Sequence, residues 1–351
     1  CYFPNLRLNG SNPSTTAKNL NMHISQYEKI LNVNENSEII IGIGDSFCAG
    51  VGSESIEIWE ENNWDVGKMR LDDRTYVEAY EGSFINLLTK KYFKNYTSIN
   101  LGMAGRGNRY AINELFLYPY TNLTKPKEKI VIFVSSSLER YDFMNNIFTL
   151  DEHVTTIWPH GFQEGKIGYG DLKKPTGKSI FDETFVISEF ILMFQHLITW
   201  CKLYNAKLLF VSAFSPELDL DYMLNNIEMK GTGDNIKNIL NSVLTTIPWH
   251  NQIKPMGYKT IAEMLLSLEG RNDLLKKPYG LMEYVVDKHT EKSYMSKCQH
   301  PAKAGQELLC DIFYDRIVSY EENSNFDYST YIKNYLNEKY PKPKIIRENL
   351  L

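Results

Sequence analysis

Two rhythms of apolar residues alternate along the chain. Glu38-Ile-Ile-Ile-Gly-Ile43 and Ile130-Val-Ile-Phe-Val134 are short, nearly unbroken apolar runs, and Thr97–Leu101 and Ala206–Ser212 read as two more strands. Short runs rich in β-branched residues predict strands buried on both faces, the habit of parallel sheets. Between them the apolar positions take helical spacing. Gly82–Tyr92 carries Phe84, Ile85, Leu87 and Leu88, and the next segment carries Ile112, Leu115 and Phe116 with Asn108 placed to cap it. Residues 184–204 predict a long helix, and a last one after His300 puts Leu308, Leu309, Ile312, Phe313 and Ile317 on one face. This alternation predicts an α/β fold: a doubly wound, mostly parallel sheet with helices on both faces.

The remaining segments follow neither rhythm. Residues 1–36 are Asn- and Ser-rich, with one helical stretch near Ile24–Leu31, and read as an N-terminal arm. The body then runs over 37–320. Within it, 53–80 is rich in Glu, Asp and Trp and reads as an insertion over the surface. A second insertion, 216–290, mixes helical patterns with polar loops. Residues 321–351 read as an extension that orders against the body or a partner. The most apolar stretch, Phe185–Cys201, contains Glu189, Gln195 and His196 and is short for a span, so no membrane crossing is expected.

Composition narrows the classes of function. The 351 residues carry 38 Lys+Arg against 43 Asp+Glu, a net charge of −5, which argues against a nucleic-acid binder. A hydrophobic content of 43% excludes wholesale disorder. Cys1, Cys48, Cys201, Cys298 and Cys310 form no CxxC pair, and the histidines lack ligand spacing. Neither a disulfide framework, a metal site nor a cofactor is expected. Aromatic residues reach 13%, and many fall in 53–120 and 313–340, outside the strands, which favours a partner or glycan surface over an aromatic core.

In open parallel sheets, chemistry gathers at the carboxyl ends of strands. There the first predicted strand ends in Gly44-Asp45-Ser46, followed by Gly50 and Gly52. A serine on a tight turn presents its hydroxyl beside backbone N–H groups that can stabilise an oxyanion. The plain alternative is a Gly-rich turn in which Asp and Ser cap a helix. A second glycine turn, Asn100-Leu-Gly-Met-Ala-Gly105, and a late His300-Pro301 follow in order, and that order favours chemistry.

In these blocks the chain resembles the SGNH (GDSL-type) hydrolase family. The likeness covers roughly residues 37–320 in order and spacing, through motifs that are individually short. It implies a flavodoxin-like three-layer α/β/α sandwich and a cofactor-free serine esterase. The implied substrate is a small-molecule or glycan ester, with acetyl the expected acyl group. It also implies Ser46 as nucleophile, His300 as general base, and the backbone N–H groups of Ser46 and Gly105 as oxyanion-hole donors.

Two positions depart from the family. Its third block supplies an Asn to the oxyanion hole, where this chain reads Ser135-Ser-Ser-Leu-Glu-Arg140-Tyr-Asp-Phe143. Ser137, or else Ser136, is the substitute donor; losing one donor costs about 10²–10³ in rate. A Ser-rich turn followed by Arg and an acidic-aromatic pair resembles phage-encoded members. The family's Asp two or three residues before the His is also missing, since Lys297 and Cys298 stand there. Either a backbone carbonyl orients the ring in a dyad, or Asp287, Glu291 or a more distant carboxylate takes over. A wrong tautomer costs roughly 10⁴ in a related triad.

Other candidates weigh less. His196 reads as a core histidine, His289 as a surface-loop residue in preference to a local pair with Asp287, Cys48 as packing, and Arg109 and Arg140 as structural. The second functional expectation is a structural protein of an assembly such as a virus particle, holding the hydrolase fold with weak or no activity and making contacts through its extensions.

Overall fold

The structure, a computed structural model, describes residues 26, 28–69, 72–105, 107–116, 120–137, 141–144, 154–157, 183–226, 233–275, 280–320 and 325–339. Most of the N-terminal arm, Arg140, His153 and His160 lie outside the described residues.

Four strands form one all-parallel sheet: β1 (Glu38–Gly44), β2 (Thr97–Asn100), β3 (Glu128–Ser135) and β6 (Ala206–Ser212), in the order β2-β1-β3-β6. Ile41 lies opposite Ile99 on one side and Val131 on the other, and Val131 opposite Leu208. A separate antiparallel pair joins β4 (Tyr141–Met144), where the sequence predicted only a turn, to β5 (Val154–Ile157).

The helices are α1 (Ser46–Ala49), α2 (Ile56–Glu61), α3 (Val66–Met69), α4 (Asp73–Gly82), α5 (Phe84–Lys91) and α6 (Asn108–Asn113), followed by α7 (Glu183–Leu203), α8 (Leu220–Asn226), α9 (Gly233–Leu244), α10 (Ile261–Leu268), α11 (Lys303–Val318) and α12 (Tyr328–Lys339). Alternate strand residues explain the layers. Ile39, Ile41, Ile43, Val131, Phe133, Leu208 and Phe210 pack with α6–α9. Ile40, Ile130, Ile132, Val134, Leu209 and Val211 pack with α5, α10 and α11. Strands apolar at every position therefore have both faces covered, giving a three-layer α/β/α sandwich. Each fully buried isoleucine contributes about 1.5–3 kcal/mol against exposure. Among the described residues no helix is long and apolar enough to cross a membrane.

Several segments differ from the sequence expectation. The 53–80 stretch folds into α2, α3 and most of α4, and its Trp59 and Trp64 turn inward into a small core with Ile58 and Met69. Within 216–290, the stretch 252–262 runs along the β6 edge: the Ile253 N–H donates to the Phe210 carbonyl at 2.8 Å, and the Ala262 N–H to the Ala213 carbonyl at 2.8 Å. The capping box of Thr260 and Glu263 then starts α10. In the extension, α12 buries Ile332 and Leu336 in the main core, and Tyr331 donates to Asp221 at 2.9 Å.

Part of the aromatic excess is internal, while Phe116, Phe326 and Tyr331 are exposed. Trp59, Trp64, Tyr80, Phe84, Tyr110 and Phe313 are all buried, and Tyr92 stacks on Tyr314 at 3.9 Å between centroids. For the buried members, the expectation of an aromatic partner or glycan surface over 53–120 and 313–340 rested on position along the chain. It missed that the intervening helices fold back on the body. His196 is the opposite case: it lies on the exposed side of α7, beside Phe116, rather than in the core.

Candidate active site

The sheet order places a crossover between β1 and β3: β2 lies on one side of β1, and the chain then returns over it to form β3. Loops leaving such a switch point diverge and leave a crevice at the strand ends. Ser46 stands there, directly after β1. The Asp45 carboxylate accepts from the Phe47 N–H at 2.9 Å and starts the four-residue α1, so the Asp does act as a helix cap. Ser46 is buried and is the first residue of that turn.

Two neighbouring strand ends close around it. The loop after β2 stays tied to β1 by the Leu101 and Met103 N–H groups, which donate to the Gly42 and Gly44 carbonyls at 2.7 and 3.0 Å. Gly105 follows at φ +80 with open space where a side chain would stand. Asn100, buried, donates to the Cys48 carbonyl and to Ser83 Oγ at 3.0 Å each and accepts from the Gly102 N–H at 2.9 Å, locking this loop to the turn that carries Ser46.

After β3, Ser137 is half-buried and Ser136 is buried with no partner on its hydroxyl. Asn108 does not cap α6, whose N-cap is Gly107. Its carboxamide instead accepts from the Ser136 N–H at 2.7 Å and donates to the Ser136 carbonyl at 3.1 Å, fixing the serine turn.

His300 arrives from the far end of the chain, 254 residues from Ser46. Its Nε2 lies 2.7 Å from Ser46 Oγ, and its Nδ1 lies 2.7 Å from the Cys298 carbonyl oxygen. A carbonyl only accepts, so Nδ1 carries the proton and the Nε2 lone pair faces the serine hydroxyl. That is the tautomer a general base needs.

The carbonyl belongs to the turn that presents the histidine. The Ser296 N–H donates to the His300 carbonyl at 2.8 Å, and the Gln299 N–H donates to the Ser296 carbonyl at 3.0 Å. Residues 297–299 thus form a three-residue hairpin loop, closed by the bridge of Met295 with Pro301, with Gln299 at φ +66 in the left-handed region. Gln299 Nε2 donates to the Tyr284 carbonyl at 2.9 Å and holds that conformation.

Asp287 is exposed, and the place behind the His300 ring is taken by the Cys298 carbonyl instead. Glu291 is also exposed and pairs with Lys303 at 3.1 Å. Cys48 is no rival nucleophile: burial, with Asp45 close by, pushes its thiol well above the ordinary range, and it contacts Asn100 Oδ1 at 3.6 Å. Among the described residues no His, Cys, Asp and Glu side chains gather as a metal site.

No family model matches the chain, and no curated protein matches it at a significant level.

Three residues have roles that their place in the sequence did not reveal. Gly52 sits at φ +96 where a Cβ would lie 2.6 Å from Ser296 Oγ and 2.9 Å from His300 Cβ, so the histidine turn packs against bare backbone. Asn108 was visible only as a capping residue. His289 is buried between Trp59 and Trp64, where its place in the sequence suggested a surface loop.

Proposed function

We propose that this protein is a serine ester hydrolase working through a Ser46–His300 dyad. The observation that carries the reading is the continuous relay from Ser46 Oγ to His300 Nε2 and from His300 Nδ1 to the Cys298 carbonyl, both at 2.7 Å. Ser46 Oγ attacks the ester carbonyl carbon while His300 Nε2 takes the hydroxyl proton. The tetrahedral intermediate collapses, the C–O bond to the alcohol breaks, and His300 returns the proton to the departing oxygen. Water, deprotonated by the same nitrogen, then releases the acid from the acyl-serine.

The backbone N–H groups of Ser46 and Gly105, with the Ser137 hydroxyl as third donor, are the candidate oxyanion hole. The carbonyl behind His300 orients the ring but, being neutral, stabilises the imidazolium less than a carboxylate would. The reading is therefore a modest esterase, with carbohydrate acetyl esters as the substrate class to try first.

The test is labelling by a fluorophosphonate, mapped by peptide mass, together with acetate release from acetylated glycans. Labelling at Ser46 that disappears in Ser46→Ala and falls steeply in His300→Ala is expected. A folded protein that leaves Ser46 unlabelled refutes the reading.

A further inference from the structure

The dyad depends on where one backbone carbonyl points, and the structure contains a device that holds the turn supplying it. We propose that His289 is a positioning residue for the dyad: gripped by Trp59 and Trp64, it fixes the Lys297 amide so that the Cys298 carbonyl faces His300. The proposal rests on the esterase reading and adds to it the role of the 53–80 segment.

The geometry is specific. His289 Nδ1 accepts the Lys297 backbone N–H at 3.2 Å, one residue before Cys298. The ring stands edge-on to both indoles, 5.0 Å from each centroid, at 87° to Trp59 and 84° to Trp64. Two contacts at right angles leave the ring little freedom to rotate. The indoles stack on each other at 5.8 Å, and Cys298 packs against the same small core.

The backbone is bent to make this arrangement. Asn63 and Trp64 lie consecutively at φ +55 and +56, in the left-handed region that a bulky residue such as Trp64 rarely adopts. The Trp64 N–H reaches back to the Trp59 carbonyl at 2.8 Å. Strain maintained at this position brings the second indole against the histidine.

An acceptor at Nδ1 requires a neutral ring carrying its proton on Nε2. Burial fits that demand, since it lowers the His289 pKa to about 4 against a weak opposing pull from Glu291. The two indoles against the ring are uncharged, and the Lys288 ammonium sits over the Trp64 ring at 5.7 Å. His289 and His300 are thus opposite tautomers, one accepting at Nδ1 and the other donating there.

The test uses the full chain, with His289→Leu and His289→Asn, the latter keeping an oxygen acceptor near the Nδ1 position. Hydrolysis of p-nitrophenyl acetate is measured beside long-range ¹H–¹⁵N spectra of ¹⁵N-histidine-labelled protein. In the Leu variant kcat is expected to fall about tenfold or more with KM within about twofold, since a small misplacement of a catalytic group acts on the chemical step. The His300 ring signals should move, and the Asn variant should recover most of the rate.

Native protein should show His289 as the Nε2–H tautomer and His300 as the Nδ1–H tautomer. A Leu variant with unchanged kcat and unchanged His300 signals overturns the proposal, and so does an Asn variant as slow as Leu. If Leu does not fold, the Asn variant and the native tautomers decide. If native Ser46 proves unreactive, the esterase reading fails. The His300 signals of the variants then still show whether His289 sets the orientation of that ring, and signals that stay put overturn the proposal.

Discussion

Glu54 offers the most quantitative prediction. It lies two residues beyond Gly52, fully buried, with Oε2 lacking any partner. Burial raises its pKa from an ordinary 4.5 to about 7, helped by Glu78 and opposed by the N–H groups of Gly52 and of Glu54 itself and by the Trp59 indole. The indole makes no hydrogen bond of good geometry, so burial dominates. Because the folded pKa lies above the unfolded one, the folded protein binds the extra proton between those values. The associated stability is complete below about pH 4.5 and is lost as pH rises through about 7. At about 1.4 kcal/mol per pH unit, that displacement amounts to on the order of 3 kcal/mol. Glu54→Gln removes the titration while keeping the shape. Urea unfolding followed by tryptophan fluorescence, with Trp59 adjacent, should give wild type and variant similar stabilities near pH 5. By pH 8 the variant should be more stable by roughly 3 kcal/mol. Parallel stability curves from pH 5 to 8 would refute the reasoning.

Further perturbations test the dyad and its support. Asp287→Asn should leave kcat/KM within about twofold, where loss of a true triad carboxylate costs roughly 10⁴; a steep loss would restore a carboxylate role. Gly52→Ala puts a Cβ 3.0 Å from the Pro301 carbonyl as well as against His300, at a φ costly for any side chain. It should lower kcat by about 10² as the histidine turn shifts, and wild-type kcat in a folded variant would show that Gly52 does not set His300. Leu336→Ala should destabilise the fold by about 2–5 kcal/mol, because α12 completes the main core. A melting temperature unchanged by this substitution would mean that the extension is only loosely attached.

The sheet was legible because β1, β3 and β6 are short, largely apolar on both faces and separated by helical spacing, with the shorter β2 between two helical stretches. Each was placed within about two residues of its observed ends, the scatter usual at element termini. Ser46 and His300 were legible as blocks after a strand and before a helix. What supports them was not. The orienting oxygen is a backbone atom, so no side chain marks it, and Cys298 stood in the sequence as a missing acid. His289 looked exposed because Asp287, Lys288, Thr290 and Glu291 surround it in sequence; the two indoles that bury it come from a segment over 220 positions earlier. Asn108 matched a capping pattern, yet its carboxamide bonds to the β3 turn, a tertiary contact that local spacing does not encode.

Replacing a carboxylate by a carbonyl moves the burden of orientation. A carboxylate approaching from another strand holds the imidazole through a charged hydrogen bond that tolerates some slack. A carbonyl two residues before the histidine has no charge, and its direction is set wholly by the intervening backbone. The precision must therefore come from the turn. Ser296 ties both ends through its N–H and hydroxyl to the His300 carbonyl, at 2.8 and 3.0 Å. Tyr284 holds Gln299 in its left-handed conformation, His289 holds Lys297, and Gly52 lets the chain pack against His300 Cβ. Three supports from outside the turn, at Gly52, Tyr284 and His289, thus join Ser296 in fixing five residues. That convergence is what a neutral orienting group demands, since hydrogen bonds and packing must supply the order a buried charge would otherwise impose.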